Sequence, residues 1–227
     1  MSRHKLWPLS KNKSDLWVAG RSLGEWERLL GRSFEVNVPW DLLEVNATLH
    51  ATWSEWTGGE GLQLGDGARL FVGEGTRVLP GVYVEGTVII GAGCKIGPNC
   101  YLRGATSIGD GCHVGQGVEV KNSVFGKGVS VGHLSYVGDS VLDEGVNFGA
   151  GTITSNLRHD GANHRSMVEG VLVDTGRRKF GAIIGAGVHT GINTSLYPGR
   201  KVGPGASTRP GEVVDRDIAL EEGSDSV

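Results

Sequence analysis

The sequence contains few aromatic residues, few cysteines and little excess charge. Aromatic residues occupy 7% of the 227 positions, which favours an architecture without a large globular core, and the three cysteines include no Cys-x-x-Cys pair. The formal net charge of −3 gives no reason to expect nucleic acid or an anionic membrane as a partner. Because no apolar run reaches membrane-spanning length and no signal peptide is recognisable, we expect a soluble, cytoplasmic protein.

Glycine is abundant instead, with 39 residues, and it accompanies a repeat of six residues. One anchor residue, usually aliphatic and often followed by glycine, recurs every six positions, with two slips of one residue and one long interruption. The anchors are Val72, Val78, Val84, Ile90, Ile96, Leu102, Ile108, Val114, Val120, Phe125, Val131, Val137, Leu142, Phe148, Thr154, Ile184, Thr190, Leu196, Val202, Thr208 and Val214. This period fits neither an α-helix nor simple strand alternation. Hexapeptide repeats are typical of the parallel β-helix, so we predict an all-β solenoid.

In such a solenoid each repeat supplies a short strand and a corner, and the anchor side chain points into the bore. Three repeats, about 18 residues, complete one coil, and neighbouring coils lie roughly 4.8 Å apart. Residues one coil apart in sequence therefore become neighbours in space. Cys94 and Cys112 form such a pair, while Cys100 falls on another face. We interpret all three as small residues of a reduced protein rather than as disulfide or metal ligands.

The period divides the chain into three regions. Residues 1–60 are predicted to form a helical N-terminal segment and cap. Residues 61–218 form the β-helix, with a loop inserted at 155–183, and residues 219–227 form a disordered acidic tail.

Local signals place two helices in the N-terminal segment. A capping box at Ser22–Glu25 predicts a helix that runs through Leu30. Asn37, followed by Pro39 in the first turn, predicts a second helix that ends near His50. We expect Trp53 and Trp56 to seal the lower end of the solenoid, because terminal repeats need a cap.

The interruption of the repeat is rich in charged residues. It carries Arg158, His159, Asp160, His164, Arg165, Arg177, Arg178 and Lys179. A long excursion from a rigid solenoid is usually functional or disordered. The basic run at residues 176–179 is either a solvated hairpin tip or part of a binding surface.

Coil spacing predicts an anion site. Arg103 and Lys121 each follow an anchor and lie one coil apart, so both occupy the same corner, with Glu85 one coil below as a partner for Arg103. Two cations roughly 5 Å apart repel each other unless an anion lies between them, and a phosphate fits that position. The alternative is a solvated charge ladder that Glu85 and Glu119 balance.

A histidine lies close to this corner in the sequence. His133 follows anchor Val131, and Ala150 takes the same place one coil higher, while Asn122, Asp139 and Asn156 stack in the equivalent place on the next face. A histidine near its ordinary pKa can accept a proton from an amine nucleophile. A backbone N–H within Gly149–Gly151 can stabilise an oxyanion. Without this context, His133 would be an ordinary surface histidine.

Several runs resemble a known family. Glu119–Ser123, Gly132–Asp139 and Asn147–Thr154, together with Asn156, resemble the acetyltransferase domain of the bifunctional N-acetylglucosamine-1-phosphate uridyltransferase/glucosamine-1-phosphate acetyltransferase. The later runs 155–159, 175–179 and 190–193 look more like archaeal-type sugar-1-phosphate nucleotidylyltransferases that carry the same C-terminal domain. The resemblance covers roughly residues 36–218. It implies a left-handed β-helix that assembles as a homotrimer, with active sites between subunits.

The resemblance also implies an activity and roles for individual residues. The reaction would transfer acetyl from acetyl-CoA to the amine of a hexosamine 1-phosphate, glucosamine or galactosamine 1-phosphate, without a metal, and would feed nucleotide-sugar and cell-envelope synthesis. By this likeness His133 is the general base, Asn156 orients the amine or the acyl group, and the Ala150 amide faces the thioester carbonyl. The substrate-binding residues would be Arg103, Lys121, Tyr136 and Asn147. The residues that contact CoA would be Ala150, Arg165 and Gly191.

The chain departs from the family pattern in two respects. No Gly-rich nucleotide loop precedes the β-helix, so we do not expect uridylyl transfer. Where relatives place lysines after the Asn, this chain has Ala162, His164 and Arg165. The contacts to CoA and the preferred sugar are therefore left open.

Three other functions compete with this one. A γ-type carbonic anhydrase shares the β-helix and would need His133, His159 and His164 to converge on zinc. A non-catalytic trimeric scaffold or sugar-nucleotide sensor would keep the fold without the chemistry. A sister acyltransferase would use another amino sugar, including a nucleotide-linked one.

Overall fold

Short parallel strands stack in coils around a narrow bore in the computed structural model, which describes residues 5–9, 12–57 and 62–219. The predicted fold, a left-handed parallel β-helix of hexapeptide repeats, is confirmed. The predicted acidic tail lies, from residue 220 onward, outside the described residues.

Two α-helices and a 3₁₀ turn precede the solenoid. The turn covers Lys13–Asp15, α1 covers Leu23–Leu30 and α2 covers Asp41–Thr52. The strands of the described residues are β1 (Trp17–Val18), β2 (Arg21–Ser22), β3 (Gln63–Leu64), β4 (Arg69–Val72), β5 (Arg77–Val78), β6 (Tyr83–Ile90), β7 (Lys95–Ile96), β8 (Tyr101–Ile108), β9 (His113–Gln116), β10 (Glu119–Lys121), β11 (Val124–Phe125), β12 (Ser130–His133), β13 (Tyr136–Gly138), β14 (Val141–Leu142), β15 (Asn147–Phe148), β16 (Ile153–Thr154), β17 (Arg165–Val168), β18 (Val171–Asp174), β19 (Ala182–Ile184), β20 (Ser195–Leu196), β21 (Arg200–Val202) and β22 (Val213–Val214).

The solenoid strands form three faces, named here by their order in a coil. Face 1 comprises β3, the first half of β6 and of β8, β10, β13, β16, β20 and β22. Face 2 comprises β4, the second half of β6 and of β8, β11, β14, β19 and β21. Face 3 comprises β5, β7, β9, β12 and β15. The long strands β6 and β8 turn from face 1 to face 2 at Gly86 and Gly104, whose φ of 74° and 69° permit the corner.

The anchors fill the bore, as the six-residue period predicts. Val84, Ile96 and Leu102 have no exposed surface, and they belong to one continuous apolar cluster. The threonine anchors near the upper end are also buried, and their hydroxyls do not lack partners. Thr154 Oγ1 accepts a hydrogen bond from the Gly138 N–H of the coil below, at 2.9 Å. A polar anchor therefore costs little, because the backbone satisfies it.

The N-terminal segment packs on the outside of face 2. The residues that precede the face 2 anchors point outward, and most are apolar, so this face needs a cover. The apolar ones are Phe71, Ile89, Val124, Val141 and Ile183, and the polar ones are Ser107 and Lys201. Apolar residues of α1 and α2 pack against these side chains and form with them a second apolar cluster, outside the bore. On the same surface Asn46 Nδ2 donates to the Ala105 carbonyl at 2.8 Å. His50 contacts the hydroxyls of Thr87 and Ser107 at 3.0 and 2.9 Å.

Two expectations for this segment are wrong in detail, while the capping box at Ser22 is present as predicted. The second helix begins at Asp41, because the Asp41 carboxylate, rather than Asn37, accepts the free N–H groups ahead of the helix. Trp53 and Trp56 do not seal the lower end of the bore. Trp53 packs edge-on against Phe71, outside face 2, with the ring centroids 5.1 Å apart.

The interruption of the repeat is an ordered excursion with its own hairpin. The chain leaves face 1 after Thr154 and rejoins face 2 at β19, where Val141 pairs with Ile183. Strands β17 and β18 pair antiparallel, and residues 169–170 connect them. The basic run at 176–179 is therefore not the hairpin tip. It lies on the returning limb, where Lys179 forms a bridge with Leu157.

The cysteines stack as expected. Lys95 and His113 pair in register, which sets the preceding residues Cys94 and Cys112 in neighbouring coils, and all three thiols are free and buried. Within the described ranges, neither helix has the length and apolar character that crossing a bilayer requires.

Candidate active site

Face 1 places the two predicted phosphate-binding cations in register. Arg103 on β8 pairs with Lys121 on β10, and Glu85 on β6 pairs with Arg103. The three residues therefore occupy the same position of successive coils, as their spacing predicted. Strand pairing fixes this arrangement, because the parallel register of β6, β8 and β10 places the three positions one above another.

Each cation nevertheless has a protein carboxylate as its partner. Arg103 Nη2 lies 2.6 Å from Glu119 Oε1, and Nε donates to the same oxygen at 2.8 Å. Lys121 Nζ lies 2.9 Å from Asp139 Oδ2. The expected pairing of Glu85 with Arg103 is wrong, because Glu85 accepts a hydrogen bond from the Tyr101 hydroxyl. Side chains on this face thus reach diagonally to the next coil.

Asp139 is the centre of a buried hydrogen-bond network. Only 2% of its surface is exposed, and its carboxylate accepts from Lys121 Nζ, from Asn122 Nδ2 at 3.3 Å and from Asn156 Nδ2 at 2.6 Å. The predicted stack of Asn122, Asp139 and Asn156 is present. Asn122 and Asp139 have φ of 45° and 51°, a region that Asn and Asp tolerate better than other non-glycine residues. The spacing of these residues is visible in the sequence, but nothing there indicates that Asp139 binds Lys121.

Tyr136 joins the same network. Asn156 Nδ2, which donates to Asp139, also donates a hydrogen bond to the Tyr136 hydroxyl, at 2.9 Å. Burial, and then the carboxylates of Asp139 and Glu119, raise the pKa of the Tyr136 hydroxyl. The phenol lies over Gly138, where a Cβ would overlap the hydroxyl oxygen.

His133 belongs to a second group, at the corner between faces 3 and 1. Its side chain is exposed, and the register of Val131 with Phe148 places Ala150 beside it, one coil higher. The Gly151 N–H donates to the His133 carbonyl at 3.1 Å. No described residue accepts a hydrogen bond from the Ala150 N–H, so this donor is free for a ligand.

Asn147 and Gly191 lie close to this second group. Asn147 is exposed on face 3 and bridges to His189. Gly191 lies over Gly149 so closely that a Cβ at position 149 would clash with it. Among the described residues, no polar contact joins His133 to the network of Asp139. The chain thus presents the expected site residues, apart from Arg165, as two groups on adjoining faces.

Arg165 lies apart from both groups. It lines a cleft of about 690 Å³ between face 1 and the excursion, which Ala150 and Gly191 do not line. His159 and His164 also line this cleft, and His164 is largely buried, with Nε2 3.1 Å from the Asn156 carbonyl oxygen. Burial lowers the pKa of His164. Within the described ranges, no three His, Cys, Asp or Glu side chains group as metal ligands, so the chain by itself does not bring His133, His159 and His164 together.

Comparison with known proteins assigns the chain to a family. The sequence model described as "GMPPB C-terminal domain" matches residues 80–197, slightly more than half of the chain. The chain belongs to this family. The matched residues include Arg103, Lys121 and His133, so both groups of candidate residues lie inside the GMPPB C-terminal domain.

Curated relatives of this GMPPB C-terminal domain protein include bifunctional nucleotidylyltransferase/acetyltransferases. They confirm the family resemblance that the sequence motifs indicated. The bifunctional sugar-1-phosphate nucleotidylyltransferase/acetyltransferase of Sulfurisphaera tokodaii is 42% identical over 194 residues, which cover 85% of this chain and 48% of the relative. The bifunctional protein GlmU of Methanococcus aeolicus is 35% identical, over 84% of this chain and 46% of the relative. The chain therefore spans about half the length of these relatives.

Solved structures give a more distant match. The polySia-specific acetyltransferase NeuO aligns with 70% of this chain and 80% of its own, at 18% identity and a TM-score of 0.45. That distance is too great for any inference about the chemistry of the site.

Proposed function

We propose that the protein is an acetyl-CoA-dependent N-acetyltransferase that acts on an amino-sugar 1-phosphate, either glucosamine 1-phosphate or galactosamine 1-phosphate. The observation that carries the proposal is the network in which buried Asp139 holds Lys121 and Asn156, with Tyr136 bound to Asn156. The name of the Sulfurisphaera tokodaii relative combines sugar-1-phosphate chemistry with acetyl transfer, which supports the proposal. Such an enzyme would supply nucleotide-sugar and cell-envelope synthesis in the cytoplasm.

In the proposed reaction the acceptor amine attacks the thioester carbonyl of acetyl-CoA. His133 accepts the amine proton as the N–C bond forms. The Ala150 N–H, which has no acceptor among the described residues, donates to the oxyanion. The C–S bond then breaks, and the proton passes from the imidazolium to the CoA thiolate. Asn156 orients the amine or the acyl group.

Arg103 and Lys121 retain donors for a phosphate. A guanidinium has five N–H donors and an ammonium has three, so Glu119 and Asp139 leave several unused. The side chain of Arg103 is 32% exposed, so a ligand can reach it. The two carboxylates also lower the net charge of this surface. We therefore expect specific recognition of the phosphate but only moderate affinity for it.

A homotrimer would bring the two groups of site residues into shared grooves. Face 2 is covered by the N-terminal segment, which leaves faces 1 and 3 on either side of the His133 corner. Face 3 carries a ladder of Arg77, Lys95 and His113, and none of the three has an ion pair among the described residues. Glu85 and Glu119 on face 1 offer complementary charge to such a ladder in a neighbouring copy.

A thiol-release assay tests the proposed reaction. The protein is incubated with acetyl-CoA and glucosamine 1-phosphate, galactosamine 1-phosphate or unphosphorylated glucosamine. We expect CoA release with one of the phosphorylated sugars and much less with glucosamine. Binding of the sugar phosphate without any CoA release would overturn the proposal and favour a non-catalytic sensor.

A matched pair of variants tests the role of the histidine. His133→Ala should lower turnover by about a hundredfold or more. Gln116→Ala removes the residue at the same corner one coil below and should leave turnover unchanged. Near-normal turnover in His133→Ala, with the oligomer intact by size-exclusion chromatography, would exclude His133 as the base.

A further inference from the structure

The cleft that contains Arg165 lies directly above the Asp139 network on face 1. Tyr136 pairs with Ile153, and Ile153 pairs with Ser195, so β16 and β20 form the floor one and two coils higher. The first residues of the excursion form a wall, and Arg165 stands at the start of the hairpin. The volume of about 690 Å³ is typical of a small-molecule site.

Three large apolar side chains are exposed together in this cleft. Ile153 is 39% exposed, Leu157 41% and Tyr197 53%. Single exposed apolar residues are common, but a cluster of them inside a cleft indicates a binding surface. Tyr197 offers an aromatic face on which a planar heterocycle can stack, as bases do in nucleic-acid-binding proteins.

Two guanidinium groups line the same cleft with donors to spare. The side chain of Arg165 has no hydrogen bond or ion pair among the described residues. Arg200 makes only long contacts, with Nη1 3.9 Å from Asp217 and Nε 3.4 Å from the Pro198 carbonyl. Arg158, in contrast, is bound to Asp160 at 2.6 Å. One guanidinium group can donate two parallel hydrogen bonds to two oxygens of a phosphate. Arg165 and Arg200 together therefore suit a diphosphate better than an uncharged ligand group.

We propose that this cleft binds a nucleoside diphosphate group, with its base on Tyr197 and its phosphates on Arg165 and Arg200. The exposed carboxylate of Asp215, also in the cleft, can accept hydrogen bonds from ribose hydroxyls. A base, a ribose and a diphosphate occur together in the adenosine diphosphate part of an acyl-CoA and in the nucleoside diphosphate of a nucleotide-linked sugar. Only the choice of acyl-CoA as the source rests on the proposed function, because the cleft itself does not depend on acetyl transfer.

Calorimetric titration of the full chain tests the proposal, with ADP, UDP and inorganic pyrophosphate as probes. At least one nucleoside diphosphate should bind about tenfold or more tightly than pyrophosphate, because base stacking adds to the phosphate contacts. Tighter binding of ADP assigns the cleft to the acyl donor, and tighter binding of UDP assigns it to a nucleotide sugar. If pyrophosphate binds as tightly as both nucleotides, the cleft is an anion site only and the proposal is wrong.

Two exposed residues supply the variants. Tyr197→Ala should weaken the nucleotide about tenfold while leaving pyrophosphate unchanged. Arg165→Gln should weaken all three probes. Arg32→Gln removes an exposed arginine from the N-terminal segment, away from the cleft, and should change nothing. Unaltered nucleotide affinity in both cleft variants would overturn the proposal.

The test also separates this site from the proposed reaction. His133→Ala should lose acetyl transfer and keep its affinity for the nucleotide. If the wild-type protein binds the nucleotide through Tyr197 but transfers no acetyl group, the cleft stands and the proposed function fails. If it transfers acetyl with no measurable affinity for either nucleotide, the function stands and the cleft proposal fails.

Discussion

The carboxylate of Asp139 lies 2.9 Å from the ammonium nitrogen of Lys121, one coil below it. Both side chains are largely buried, with 3% and 18% of their surfaces exposed. The same carboxylate holds the amide of Asn156 at 2.6 Å. Asp139 therefore neutralises one of the cations proposed to bind phosphate and positions the residue proposed to orient the reacting groups.

Replacement of Asp139 should separate these two effects. Asp139→Asn removes the charge that competes with phosphate, so the KM for the phosphorylated acceptor should fall severalfold. The kcat should fall about tenfold, because Asn156 loses a charged hydrogen-bond acceptor. Initial rates over a range of acceptor concentrations measure both parameters.

Asp110→Asn is the matched control for this variant. Asp110 pairs with Lys127 at 3.2 Å, where both side chains are well exposed and far from face 1, so neither parameter should change. A raised KM with unchanged kcat in Asp139→Asn would contradict the positioning role.

Gly138→Ala should displace Tyr136 without unfolding the coil. The new methyl group would occupy the space of the Tyr136 hydroxyl, and the end of a flexible side chain can move away. The hydrogen bond from Asn156 to Tyr136 is then lost, which should lower turnover about fivefold to tenfold. Tyr136→Phe should cost a similar factor, and the double variant should be no worse than either single variant. Additive losses would show that Gly138 acts through another residue.

Acid should loosen the N-terminal segment through His50. Burial of the His50 side chain between α2 and face 2 lowers its pKa from 6.5 to about 4. Between pH 6.5 and about 4, His50 is protonated in the unfolded chain but neutral in the folded chain. The free energy of unfolding therefore falls as the pH falls through this window. The maximum loss is about 3 kcal/mol.

Urea unfolding at several pH values between neutrality and pH 4 measures this loss. His50→Gln should show a smaller drop in the free energy of unfolding over the same range, because the titrating group is gone. An identical pH dependence in the two proteins would exclude His50 as its cause.

The cation ladder on face 3 should control assembly. Lys95→Glu replaces the middle rung of the ladder with a carboxylate. In the proposed trimer this carboxylate would meet Glu85 of a neighbouring copy, so assembly should weaken. The double variant Lys95→Glu/Glu85→Lys restores opposite charges and should recover the trimer by analytical ultracentrifugation. Lys127→Glu, whose lysine pairs with Asp110 on another corner, serves as the control. A stable trimer in the Lys95→Glu variant would show that the ladder does not form the interface.

Part of this structure followed from the spacing of residues alone. The six-residue period fixes the strand register, and register set Arg103 beside Lys121 and Ala150 beside His133. The position of the N-terminal segment could also have been read from the sequence. Apolar residues precede five of the seven anchors on face 2, and they mark the face that needs a cover.

The sequence by itself determined the solenoid, its three faces and the order of residues along them, because the repeat is local and each coil meets only its neighbours. Tertiary structure alone decided which carboxylate each cation contacts. Arg103 binds Glu119 rather than Glu85, since a long side chain can reach several rungs and spacing does not choose among them. It also decided that the excursion folds back over face 1 to form the cleft at Arg165, because that contact joins segments with no shared period.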